Sequence, residues 1–277
     1  MVSKVAVLPI DGDHAGQLRE AIRLIGGIDD LNSARKSVAI KVGIFNPHSD
    51  HHSSVETVKA IIDAFDRARN IYLIESDNYM GKALDRLKVY NGLFDGRVVP
   101  FNTSDDPDAK RFKIANEEMA LSKVMLKPNV FVSTHVLRTF ERGCILKNLF
   151  GCTPMVEKAR FHKEELFTKL LPDIFEAIGG IDLAVVDGGY LYHAASRRKV
   201  PANVVIAGRD AVAVESVVAT LSGLKLEELG FLQEFVKRGL GEGDLDNMEI
   251  LGSSFEELME TFKGLRKALR QRKGRGK

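Results

Sequence analysis

The chain has 277 residues, 44% of them hydrophobic, with 40 basic against 38 acidic side chains and a formal charge of +2. That balance argues against a polyanion as partner of the whole surface, and no run approaches the ~18 uninterrupted apolar residues of a membrane-spanning helix. The early run Val5-Ala6-Val7-Leu8 is too short for the apolar core of a secretory signal, so a cytoplasmic protein is the expectation. A charged fraction of 28% with few glutamines leans toward a heat-adapted source.

Val5 to Ile10 reads as a strand, and Leu18, Ala21, Ile22 and Ile25 then keep helical spacing up to Gly26-Gly27. Ser37 to Phe45 is a second strand. Ser53-x-x-Glu56 reads as a capping box, opening a helix with Val55, Val58, Ile61, Ile62 and Phe65 on one face. Ile71 to Ile74 is a strand, Met80 to Val89 a helix and Val98 to Phe101 a strand. The polar cluster from Asn102 to Pro107 marks a boundary, with residues 103–116 as linker. Beyond it come a strand at Val130 to Ser133, a short helix at Cys144 to Phe150 and a helix at Lys163 to Ile178 that contains Pro172. Strands at Ile181 to Val186 and Val204 to Ala207, helices at Asp210 to Leu221 and Leu226 to Val236, a strand at Met248 to Leu251 and a helix from about Ser254 complete the chain. This alternation predicts a three-layer α/β fold, mostly parallel sheet with helices on both faces, in two related lobes at 1–102 and 117–262. A basic tail, 263–277, follows.

No G-x-G-x-x-G or G-x-x-x-x-G-K-[ST] follows any strand, which argues against a dinucleotide or P-loop nucleotide site. The chemistry concentrates in Leu146-Lys147-Asn148-Leu149-Phe150-Gly151. Leu146, Leu149 and Phe150 share one helical face that a core explains. Lys147 and Asn148 do not fit that explanation: a cation beside an amide suits a phosphate or carboxylate ligand, or a tie to neighbouring backbone. His135 follows a buried strand and His162 follows the Lys-Asn helix, so the pair can serve as acid and base or as metal ligands. Asp187 ends a strand before Gly188-Gly189, where it can orient a histidine or make a turn. Glu215 lies in a helix apolar on most faces and needs a cation or hydrogen bonds, with Lys41 or Lys147 as candidate partners. Lys41 itself interrupts a strand and needs a counter-charge. His48, Asp50, His51 and His52 match no recognised zinc spacing; they read as a solvated or substrate-covering loop, with a divalent metal as the alternative. Cys144 and Cys152, the only cysteines, are too few for an all-cysteine cluster and read as buried free thiols.

The second half resembles the family called domain of unknown function 362. The resemblance rests on Ser133-Thr134-His135, the intact Leu-Lys-Asn-Leu-Phe-Gly, Phe161-His162, Val186-Asp187-Gly188, Ala207 to Glu215 and Gly239-Leu240-Gly241 with Asp244-Leu245-Asp246; an early Ile40-Lys41 also matches. It covers about residues 37–252 and departs at Ser133, where the family has Lys, at Val42-Gly43, where it has Pro-Asn, and at Glu215, where Asp is usual. Some members carry ferredoxin-type cysteine clusters, so the resemblance implies a member without its own cluster, or an accessory subunit beside a cluster-bearing redox partner.

The combined expectation is a protein that binds or transforms a small anionic metabolite between the lobes, with no organic cofactor. Lys147 and Asn148 would hold the anion with Lys41 and Thr134 assisting, His135 and His162 would move protons, and Asp187 and Glu215 would orient these groups. The basic run from Lys263 to Lys277 also suits sequence-independent contact with RNA phosphates, although it carries no aromatic residue for base stacking.

Overall fold

Val38-Ala39-Ile40 and Val130-Phe131-Val132 are buried on both faces, an arrangement that requires a sheet covered by helices on each side. The computed structural model describes residues 2–153, 158–193, 196 and 198–271. In chain order the elements are β1 (Ser3–Pro9), α1 (His14–Leu24), β2 (Val38–Lys41), α2 (Val55–Ala64), β3 (Ile71–Glu75), α3 (Ala83–Leu87), β4 (Val98–Asn102), β5 (Lys110–Ile114), β6 (Glu117–Leu121), β7 (Val130–Thr139), α4 (Glu164–Ile178), β8 (Leu183–His193), β9 (Arg198–Gly208), α5 (Ala211–Leu221), α6 (Gly230–Lys237), β10 (Met248–Gly252) and α7 (Phe255–Gln271). The Lys-Asn motif forms a 3-10 helix at Leu146–Cys152, and His162 closes another at Lys158–His162.

Eight strands form one sheet in the order β10-β1-β9-β8-β7-β2-β3-β4, and β5-β6 is a separate hairpin. Within the eight-stranded sheet β9 runs antiparallel to β1 and β8, and the other pairs are parallel. Period-two alternation divides the apolar residues between two cores. Ala6, Val38, Ile40, Val132 and Val185 pack with α1 and α2, whereas Ala39, Phe131, Ala184 and Val186 pack with α4, α5, α6 and α7. The result is the expected three-layer α/β architecture.

In space the halves on either side of residues 103–116 share this single sheet. That segment holds a 3-10 turn at Thr103–Asp105 and strand β5. From β2 the chain adds β3 and β4 on one side, and β7 with β8 on the other. The two directions diverge between β2 and β7, and at such a switch point the carboxyl ends of parallel strands border a crevice.

Several local expectations need correction. The cap of α2 is Ser54, not Ser53: Ser54 Oγ accepts from Thr57 N at 3.2 Å. Ser53 is instead buried, its hydroxyl 2.9 Å from Thr134 Oγ1. β2 stops at Lys41 because Gly43 takes φ +66, a left-handed conformation that breaks the ladder. The helix expected over Met80 to Val89 is the single turn and a half of α3 followed by a 3-10 stretch, Lys88–Leu93. The hairpin β5-β6 was not legible, since its lysines, arginine and glutamates mask the alternation. Among the described residues no helix is long and apolar enough to cross a membrane.

Candidate functional site

β2 ends in Lys41 and β3 in Glu75, and the parallel register of these strands aligns Lys41 with Ile74 and, across β7, with Ser133. Side chains at these strand ends meet a cavity of about 730 Å³. His135, Arg138 and Phe140 enter it from β7 and its end, Lys147, Asn148, Phe150 and Gly151 from the 3-10 helix, and His162 from the following one. Ile44, Phe45 and Tyr79 complete the apolar part. Lys41, His135, Lys147, Asn148 and His162, far apart in sequence, therefore share one pocket at the switch point.

The pocket floor is a buried polar network. Lys41 Nζ lies 2.6 Å from Glu75 Oε1, with both side chains almost fully buried. The same carboxylate accepts from Ile44 N at 2.8 Å and lies 3.4 Å from the buried guanidinium of Arg86. Arg86 also donates to the carbonyls of Ile44 and Ser76, tying both strand ends to α3. Two buried cations thus share a single carboxylate. Asn148 completes the floor: its Nδ2 donates to Lys41 O at 3.0 Å and Thr134 O at 3.0 Å, and its Oδ1 accepts from Lys41 Nζ at 3.2 Å. The amide staples β2 to β7 where their neighbours diverge, so its hydrogen bonds go to the framework.

Two glycines are explained by this floor. A Cβ on Gly151 would lie 2.8 Å from Lys41 Nζ, which Glu75 prevents from moving away. A Cβ on Gly43 would lie 2.5 Å from His135 Cδ2. The glycine ending Leu-Lys-Asn-Leu-Phe-Gly therefore makes room for an ammonium group, while the helix itself runs on to Cys152.

The walls carry more positive charge. Lys147 Nζ sits 3.9 Å from the Phe150 ring centroid and 4.8 Å from that of Phe167, and Arg138 lies 4.9 Å from the Phe140 ring. Arg138 also donates to Gly143 O at 2.9 Å. Among the described lining residues Glu75 is the only carboxylate, against Lys41, Arg138 and Lys147. His162 packs edge-on against Phe150 with ring centroids 4.7 Å apart. Desolvation, then the neighbouring Lys147 and Arg142 cations, hold its pKa below the ordinary histidine range. Burial, then Arg138 and Lys41, push that of His135 much further down. Val136 N donates to His135 Nδ1 at 2.8 Å, which leaves the ring neutral with its proton on Nε2.

Three expected site residues do not line the pocket. Thr134 is fully buried between Ser53 and the Asn148 amide. Asp187 Oδ2 accepts from Ser54 N at 2.7 Å and Ser54 Oγ at 2.6 Å, so it anchors the start of α2 on the other face of the sheet. Glu215 finds neither Lys41 nor Lys147, the partners expected of it. Its oxygens accept from Cys144 N at 2.7 Å and Leu146 N at 2.8 Å, fixing the entry of the Lys-Asn helix. Burial raises its pKa against the pull of those two amides. Cys144 and Cys152 are both buried free thiols. His51 packs on Tyr192 and His52 on Tyr90, so the two neighbouring imidazoles diverge. Among the described residues no cluster of three or more His, Cys, Asp or Glu is placed to hold a metal.

Sequence reading missed Glu75, Arg86 and Arg138. Glu75 had a usable signal, a carboxylate closing an Ile-Tyr-Leu-Ile strand. Arg86 sits in an ordinary-looking amphipathic stretch and had none.

These features define a three-layer α/β protein with a basic pocket at the carboxyl ends of its central parallel strands. The chain belongs to the family described as Domain of unknown function (DUF362), whose model matches residues 38–220. Among solved structures it is similar to the lactate racemase apoprotein from Thermoanaerobacterium thermosaccharolyticum, with 13% identity and a TM-score of 0.41 over 75% of this chain and 54% of that one. The chain thus spans about half the length of that protein. No curated protein matches it significantly.

Proposed function

We propose that the pocket binds a small metabolite bearing a phosphate or carboxylate. The observation that carries this reading is the sharing of Glu75 between Lys41 and Arg86, which leaves excess positive charge buried at the pocket floor. Buried charge is costly without a counter-ion, and an anionic ligand supplies one. Arg138 and Lys147 add to the same field, in a cavity where partial exclusion of water strengthens it.

In this reading Lys147 and Arg138 meet the anion directly, each laid on an aromatic face that limits its motion. Lys41, locked by Glu75 and Asn148, contributes charge from beneath. His135 presents an Nε2–H donor, which suits hydrogen bonding to an anionic oxygen better than taking a proton. His162, more exposed and neutral at pH 7, is the better candidate for proton transfer if the bound metabolite reacts. Thr134, Asp187 and Glu215 act through the frame: they position Asn148, α2 and the Lys-Asn helix.

Native mass spectrometry of freshly purified protein, followed by calorimetric titration with inorganic phosphate and acetate, tests this. A co-purifying anion, or saturable binding weakened about ten-fold by Lys147→Met, is the expected result. Binding that is absent, or identical in Lys147→Met and Arg138→Met variants, overturns it.

A further inference from the structure

The reading of the pocket as an anion site leaves its size and its outer half unexplained. A phosphate-sized group occupies the room of a few waters, each ~30 Å³, whereas the cavity measures about 730 Å³. That volume lies within the range that encloses a drug-sized organic molecule. A bare inorganic anion or a very short acid would leave most of it filled with solvent.

The lining is graded from end to end. Lys41, His135 and Asn148 at the floor are 2–5% exposed. The cations of the walls lie on aromatic faces, Lys147 on Phe150 and Arg138 on Phe140. Farther out, Phe45 and Tyr79 line the same cavity but are 49% and 74% exposed. Their rings meet edge to face with centroids 5.0 Å apart. Asn78 Nδ2 donates to Phe45 O at 3.2 Å, which holds the two loops that carry these rings against each other. Paired large rings left in water at a pocket mouth cost solvation that a bound apolar surface would recover.

We propose that the ligand is an anion with a flat aromatic body, its acid group at the Lys147–Arg138 end and its ring against Phe45 and Tyr79. The polarity gradient sets the orientation. An aromatic body suits these rings because it can stack or meet them edge-on, at about a few-fold to ten-fold in affinity for each well-placed pair.

Two ligands with the same head separate this inference from the one beneath it: naphthalene-2-sulfonate and methanesulfonate, each titrated calorimetrically into the full chain. The native protein should bind the naphthalene compound at least ten-fold more tightly. The doubly substituted Phe45→Ala/Tyr79→Ala protein, altered only at exposed positions, should lose most of that preference while binding methanesulfonate as before. Equal affinities for the two sulfonates in the native protein, or a preference that survives loss of both rings, would overturn the aromatic assignment and leave the anion site standing. Failure of both ligands to bind, or indifference of both to Lys147→Met, would sink the anion site and this inference with it.

Discussion

Two polar clusters lie on opposite faces of the same central strands, and they behave differently. On one face Ser53, Ser54, Thr134 and Asp187 bond to one another and to the start of α2. On the other Lys41, Glu75, Arg86 and Asn148 also bond to one another, with His135 lining the cavity above them, but here positive charge is in excess. The first cluster is complete as it stands and explains itself as architecture. The second leaves Arg86 Nε without a hydrogen-bond partner and carries positive charge in excess. A dense hydrogen-bond network therefore does not by itself mark a cluster as structural; the sign of the buried charge and access to a cavity separate the two.

The largest test of that contrast is Glu75→Gln. It strands Lys41 and Arg86 as buried cations without a carboxylate and should cost about 3–5 kcal/mol in denaturant unfolding. A loss below about 1 kcal/mol would mean that water or the pocket already neutralises them. A matched pair comes next. Asn148→Ala uncouples β2 from β7 and should cost about 1–3 kcal/mol while also abolishing anion binding. Asp187→Ala removes the acceptor of Ser54 and should cost a similar amount but leave binding intact. Weakened binding in both variants, measured by calorimetry, would erase the distinction between the two faces.

Lys147→Met should move stability by less than about 0.5 kcal/mol, because the unbranched apolar chain of methionine keeps contact with Phe150 and Phe167, while weakening phosphate binding about ten-fold. A large fall in melting temperature would instead identify Lys147 as part of the frame. The smallest effect concerns pH. His135 and His162 have folded pKa values below their unfolded ones, so the unfolded chain takes up protons first as pH drops. Their contribution is therefore present above the unfolded histidine value, near ~6.5, and is lost progressively as pH falls below it. His135→Asn, whose amide oxygen can replace Nδ1 as acceptor, should flatten the melting-temperature decline between pH 7 and 5. Bound phosphate should flatten it too, by favouring the protonated rings; an unchanged slope in both cases would refute the linkage.

Much of the site was legible in residue types. A lysine interrupting a buried strand, a Lys-Asn pair inside an apolar helix and two histidines flanking it all line one pocket. The three that do not, Thr134, Asp187 and Glu215, could not be separated from them by sequence because facing depends on parity along a strand and on which helix lands above it. Thr134 sits between Ser133 and His135, yet alternation turns it toward the opposite core. Glu215 advertised a buried charge correctly, but its partners are backbone amides of Cys144 and Leu146, which no side-chain pattern reveals.

The periodicities of this chain, strand-like runs of Val and Ile alternating with amphipathic stretches, were enough to set a layered α/β fold, because burial of those faces has few other solutions. They could not say that a single sheet would run through both halves, or that its order would reverse between β2 and β7. That choice belongs to long-range pairing, decided by contacts between residues 34 to 107 positions apart. Only it brings Glu75 and Asn148 to the same ammonium group.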